Sequence, residues 1–136
     1  MPVQIQEFIG EWLDIPDDSY CFLDNDTSTG QLGVSAVIGT SSWQCQHKFR
    51  ITIGPLDLRE YESLLPIGDK LENLRSLVRN YIGFEFNWDI NLVLLKEQVP
   101  DVQIGTYGRL GWTSWLKTGK REAEVNDLYL NMGGIA

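Results

Sequence analysis

Cysteine, histidine and cationic side chains are scarce in this chain, and each scarcity closes off a class of function. Two cysteines, Cys21 and Cys45, and a single histidine, His47, are too few for a Cys/His zinc site, which takes four ligands. Carboxylates would have to complete such a site, and no metal-ligand spacing is present. Two cysteines without a second cluster fit a cytosolic chain with reduced thiols, a disulfide being the alternative. Eleven Lys and Arg against 19 Asp and Glu leave a net charge of −8, so phosphate backbones and anionic lipid are poor partners. No apolar run reaches the roughly 18 residues of a membrane-spanning helix, and Met1 to Gly10 lacks the basic start and apolar core of a signal peptide.

Catalytic motifs are equally thin. No Gly-x-Ser-x-Gly elbow, phosphate loop or dinucleotide fingerprint occurs. Cys45 and His47 lie two apart and share a face if they sit on a strand, which allows a Cys–His nucleophile pair in a cleft; a half-exposed strand histidine is the plainer reading. Asp24 to Ser28 begins like a calcium loop and never supplies the closing Glu, so a solvated turn is expected. The cluster Lys117-Thr118-Gly119-Lys120-Arg121 is basic, but one such patch on an acidic chain is weak evidence for nucleic acid.

What is present suits a packed core. Apolar residues make up 43% and Trp occurs five times, so 136 residues read as one domain over 1–136. Val3 and Ile5 begin a strand-like pattern, and Trp12 is expected in the core. Trp43 to Ile53 reads as a strand that Gly54-Pro55 stops. Two helices follow, over 57–65 and 69–82, each opened by an Asp–x–x–Glu capping box (Asp57 with Glu60, Asp69 with Glu72). Leu71, Leu74, Val78 and Tyr81 form the apolar stripe of the longer one, and Gly83 ends it. Phe84 to Leu94 alternates apolar and polar, as in a strand with one side on the core. Val102 and Ile104 start another strand, and Leu128 to Leu130 adds a last edge strand. Strands, then two helices, then strands, with Gly-rich loops around 30–43 and 107–118, predict an α+β fold built on an antiparallel sheet.

One short phrase occurs twice. Leu32-Gly33-Val34-Ser35-Ala36-Val37-Ile38 and Leu110-Gly111-Trp112-Thr113-Ser114-Trp115-Leu116 both run Leu-Gly, large apolar, hydroxyl, small, large apolar, aliphatic. Apolar side chains in segments of loop-like composition need a cover, either the protein's own core or a partner. Two copies suggest two equivalent contacts and so an assembly part. Trp is also enriched at interface hot spots. Three alternatives stand beside this: a small-ligand or glycan-binding module with a pocket at Trp112 and Trp115, the Cys45/His47 hydrolase, and two buried strand ends of purely structural meaning.

The run Phe49-Arg50-Ile51-Thr52-Ile53-Gly54-Pro55-Leu56, then Tyr61, Leu64-Leu65-Pro66, Gly68, Leu71, Leu74, Leu77 to Gly83, Trp88-Asp89, Val99-Pro100 and Leu110 to Leu116, closely resembles the C-terminal part of the TssG (ImpH, VasB) family of type VI secretion baseplate subunits. Phe8 to Leu13, Leu32 to Gly39 and Trp43 fit as well. Family members carry a substantial N-terminal region without counterpart here, so the chain reads as a C-terminal fragment or excised domain. The resemblance implies a cytoplasmic scaffold without catalysis or cofactor, in a baseplate docked at the inner membrane complex. It implies TssF and two TssK trimers as partners, with TssE nearby. On that reading Leu32, Val34, Val37, Ile38 and Trp43 serve one docking loop, and Leu110, Trp112, Trp115 and Leu116 the other. Gly33 and Gly111 permit the tight turns.

Overall fold

The computed structural model describes residues 2–21, 31, 33, 36, 38–101, 108–115 and 123–133. Among them six strands and two helices follow in the order β1 (Val3–Gln6), β2 (Glu11–Asp14), β3 (Ser41–Gln44), β4 (Lys48–Leu56), α1 (Leu58–Ser63), α2 (Lys70–Ile82), β5 (Asn87–Leu94) and β6 (Val125–Asn131). The α+β class holds. Four strands form one sheet in the order β1-β4-β5-β6, and β2 with β3 forms a separate two-stranded ribbon.

The expected all-antiparallel sheet is corrected at its centre. β4 and β5 run parallel, with Arg50 beside Asp89 and Ile51 beside Ile90, while β1 and β6 flank them antiparallel. Parallel neighbours need a long crossover, and both helices supply it. Central position also explains β5, which is buried along nearly its whole length, although its sequence alternates. Register sorts the sheet into two faces. Ile5, Ile51, Ile90 and Leu130 form one apolar row, and Val3, Ile53, Leu92 and Leu128 the next. On the other face run Gln6, Arg50, Asp89 and Asn131, then Gln4, Thr52, Asn91 and Tyr129.

The core gathers on the apolar face. Ile53, Leu56, Tyr61, Leu65, Trp88, Ile90, Leu92 and Leu94 are almost wholly buried, with Leu71 and Val78 of α2 beside them. Each such aliphatic side chain contributes about 1.5–3 kcal/mol by leaving water. Parts of the expected core lie outside it. Tyr81 is 90% exposed and Leu77, Phe84 and Phe86 are exposed as well, because β5 starts only at Asn87 and α2 is apolar around more of its girth than the sheet covers.

Two local readings change. β4 continues through Gly54-Pro55 to Leu56 across a register shift between Ile53 and Leu56. There Gly54 has φ +138, and a Cβ on it would collide with Val93. Neither Asp57 nor Asp69 caps its helix by side chain. Gln98, from a 3-10 turn at Lys96–Gln98, takes that place: its Oε1 accepts from Leu58 N at 2.9 Å while its Nε2 donates to Asp57 Oδ1 at 3.1 Å. Gly83 does close α2, its N–H donating to Arg79 O at 2.9 Å with φ +76.

Candidate protein interface

The two copies of the phrase are mounted in different ways. The first lies in the connection of the β2–β3 ribbon. Glu11 pairs with Gln44, Trp12 with Trp43 and Asp14 with Ser41, and Ile15 N extends the ladder to Thr40 O at 2.9 Å. The ribbon is thus a stem for residues 16–39. Glu11 fixes its base, accepting from Asn87 Nδ2 at 3.1 Å and pairing with Lys48 at 3.7 Å. Trp12 and Trp43 meet edge to face at 5.4 Å on the stem. Trp12, expected in the core, is instead 66% exposed, and Trp43 is exposed beside it. The Trp43 ring lies against Gly10, where a Cβ would overlap it. Beyond the stem Ile38 is 90% exposed and Gly33 has φ +80. Leu32, Val34 and Val37 lie outside the described residues.

The second copy is clamped to the core. Trp112 N and Thr113 N both donate to Arg109 O, at 3.0 and 2.9 Å. Arg109 N donates to Thr113 Oγ1 at 2.9 Å, and Gly111 N to Ser114 Oγ at 3.3 Å. Gly111 makes this turn with φ +82. The clamp is Tyr61 of α1. Its hydroxyl donates to Trp112 O at 3.0 Å and its ring tilts against Trp115 at 6.0 Å. Burial raises the Tyr61 phenol above its ordinary pKa, with the nearby Asp127 charge acting in the same direction. Trp112 and Trp115 are accordingly half-buried against the core, Thr113 is buried, and Leu110 at the tip is 96% exposed. Leu116 lies outside the described residues.

The polar sheet face carries an ion-pair network. Arg50 donates to both carboxylate oxygens of the buried Asp89, from Nε at 2.6 Å and from Nη2 at 3.0 Å, a bidentate geometry. Lys48 lies 3.5 Å from the same carboxylate, and the Arg50 guanidinium sits 4.4 Å over the Tyr129 ring. The Asp89 hydrogen bond, ahead of opposing desolvation, raises the Arg50 pKa further. Sequence reasoning missed this network; the cation–carboxylate alternation Lys48, Arg50 and Asp89 was its only trace.

The alternatives find less support in the geometry. Cys45 and His47 are both exposed in the bend between β3 and β4, not on a strand, so the shared-face argument loses its basis. A cavity of about 480 Å³ opens between β1, β4 and α2, lined by Ile5, Phe8, Phe49, Leu77, Tyr81 and Phe86 among others. None of its lining residues comes from 108–115, where a pocket built on Trp112 and Trp115 would lie.

A family model described as "Type VI secretion, TssG" matches residues 1–117. The chain belongs to the TssG family. The fold of this family member is similar to a chain in the cryo-electron microscopy structure of the type VI secretion system TssK-TssF-TssG baseplate subcomplex. The TM-score is 0.68 at 14% identity, over 96% of this chain and 54% of that one. The present chain therefore spans about half the length of that relative. Among curated proteins none matches.

Proposed function

We propose that this TssG-family chain is a structural subunit of a type VI secretion baseplate, joining TssF-type and TssK-type subunits through its two loop segments. The observation that carries the reading is the family match over residues 1–117, together with a fold like that of a chain solved in a TssK-TssF-TssG subcomplex. In this reading the protein acts in the cytoplasm without catalysis or cofactor, as one unit of a wedge docked at the inner membrane complex, with TssE a neighbour. The segments around 30–43 and 107–118 each meet one TssK trimer. Ile38 and Leu110, both nearly fully exposed, are the apolar tips. Leu32, Val34, Val37 and Trp43 complete the first contact. Trp112, Trp115 and Leu116 complete the second, the two tryptophans also holding it to the core.

Co-purification with TssK and TssF from the same secretion system tests this. Leu32→Ala with Val37→Ala, and Leu110→Ala with Leu116→Ala, should each remove part of the bound TssK, and the four together nearly all of it. Full TssK binding by folded variants would move the contact elsewhere on the chain.

A further inference from the structure

The sheet is one strand narrower than the helix that covers it. β1 is an edge of the sheet, yet α2 carries apolar side chains past it. Val78 rests on the core, whereas Leu77 is 67% and Tyr81 90% exposed. The cavity of about 480 Å³ opens beneath this overhang, lined by Ile5, Phe8, Leu77, Tyr81 and Phe86. Ile5 and Phe8 are themselves 68% and 70% exposed. Aromatic side chains offer about 150–250 Å² each, so these five reach the upper end of the roughly 300–600 Å² of the largest apolar patch on an ordinary monomer. A standard interface takes about 800 Å² from each partner, and the groove supplies most of that.

The open edge selects the shape of the occupant. Gly54 N donates to Pro2 O at 3.0 Å, and Gln4 lies opposite Thr52 in the same register. Backbone groups alternate along an antiparallel strand, so Pro2, Gln4 and Gln6 face β4 while Val3 and Ile5 turn their N–H and C=O to the open edge. The side chains of Val3 and Ile5 lie on the apolar face. Among the described residues no strand pairs with that edge. Phe8, with φ +59, takes up one extra residue before Ile9 N returns to Lys48 O at 2.9 Å, and this bulge ends the free edge beside the cavity. An apolar helix or a small ligand would fill the groove and leave the edge groups without partners. An added strand satisfies both at once.

Charge and position narrow the partner. The charged residues lining the cavity are Glu7 and Lys48. Lys48 is engaged by Glu11 and Asp89, which leaves the exposed Glu7 as the charge at the lip. Gln46, from the bend that follows the ribbon, also lines the groove, so groove and ribbon form one continuous surface. In the baseplate reading above, on which this inference rests, both loop segments meet TssK and the TssF contact is left without a surface. We propose that β1 and the groove under α2 take an extended strand of the TssF-type subunit. Its backbone pairs with Val3 and Ile5, and its alternate aliphatic side chains fill the space between Ile5, Leu77 and Tyr81. A Lys or Arg at its end meets Glu7.

The test uses the full chain with TssF and TssK purified from the same system. Val3→Pro with Ile5→Pro removes the outward donors and leaves the β4 ladder intact, since an edge strand tolerates Pro where its N–H faces solvent. Leu77→Glu with Tyr81→Glu places charge in the groove from exposed helix positions. Circular dichroism and thermal melts verify that each pair is folded. Either pair should weaken TssF binding at least about tenfold and leave TssK binding unchanged. Glu7→Lys should weaken it about threefold in dilute buffer and hardly at all near 1 M salt. Hydrogen exchange gives an independent reading: the Val3 and Ile5 amides should exchange freely in the chain alone and slow when TssF is added.

Amides that stay fast in the TssF complex overturn the added strand, whatever the groove variants do. Full TssF binding by both folded pairs overturns the site, and so does loss of TssK binding in their place. Slow exchange in the chain alone, or self-association that both pairs abolish, gives the groove to the chain itself or to a second copy. An unsubstituted chain that binds TssK but not TssF overturns this inference alone. One that binds neither subunit takes the baseplate reading with it.

Discussion

The ribbon-borne segment and the core-clamped segment share a seven-residue pattern of residue classes, identical only at Leu-Gly, and are mounted on different supports. In the first the large aromatics, Trp12 and Trp43, sit on the stem and face water. In the second they belong to the phrase itself and turn inward, leaving Leu110 as the projecting group. A shared pattern of residue classes therefore does not bring a shared support with it. Mounting is decided by what lies beneath: a two-stranded ladder in one case, the Tyr61 hydroxyl and ring in the other.

The comparison breaks most sharply at the clamp. Tyr61 is wholly buried, so Tyr61→Ala should lower stability by about 3–5 kcal/mol and free the second segment while the ribbon persists. Hydrogen exchange that slows or stays constant at 109–115 would contradict this. Tyr61→Phe keeps the ring and removes only the bond to Trp112 O, a loss of about 1 kcal/mol by denaturant unfolding. It also has a pH signature. A phenol whose pKa is raised in the folded state stabilises fully below its unfolded value near 10 and progressively less above it. Stability should fall above about pH 10 in the parent, and less steeply in Tyr61→Phe; parallel alkaline curves would remove Tyr61 from that titration.

The ion-pair network on the polar sheet face should respond less than the clamp. Asp89→Ala leaves Arg50 and Lys48 without their shared carboxylate, and because Arg50 keeps some solvent contact the cost should be about 2 kcal/mol, below that of a fully buried pair. A neutral result would mean that the network orders the polar face without stabilising it. Smaller still is the effect expected at Gly10. Gly10→Ala places a methyl group where the Trp43 ring lies, and an exposed ring can move aside, so stability should change by under about 1 kcal/mol. The far-ultraviolet exciton couplet of the Trp12–Trp43 pair should nevertheless weaken. Leu110→Ala should be the quietest, within about 0.5 kcal/mol; a larger loss would place Leu110 in the core.

Much of this architecture is legible in residue order. Both helices, the Gly83 stop and the last strand follow from spacing and punctuation, and the structure places them within a few residues of expectation. Family membership is legible too, since it rests on many spaced residues together. Parallel pairing of β4 with β5 is not, because Asp89 and Asn91 read as solvent-facing positions. They are buried, Asp89 by way of its pairing with Arg50 and Lys48, and alternation cannot reveal a polar side chain whose partner lies 39 residues away. Trp12 fails for a related reason: hydrophobicity predicts the core only where some surface covers the residue, and among the described residues Trp12 meets Trp43 and stays 66% exposed. At α1 the capping box is outcompeted by Gln98, a long-range partner that local pattern does not encode. Strand proposals at Val102 and Ile104, and four of the interface residues, lie outside the described residues.

The crossover between β4 and β5 has a consequence for how the chain comes to be folded. The centre of the sheet cannot zip from a hairpin; it must wait until both helices have been made and brought round, and loop closure of that length precedes any reward from pairing. During synthesis Phe49, Ile51 and Ile53 therefore emerge well before Trp88, Ile90 and Leu92 exist to meet them. The nascent chain passes through an interval with its stickiest strand uncovered, and production of soluble protein should depend on how briefly that interval lasts.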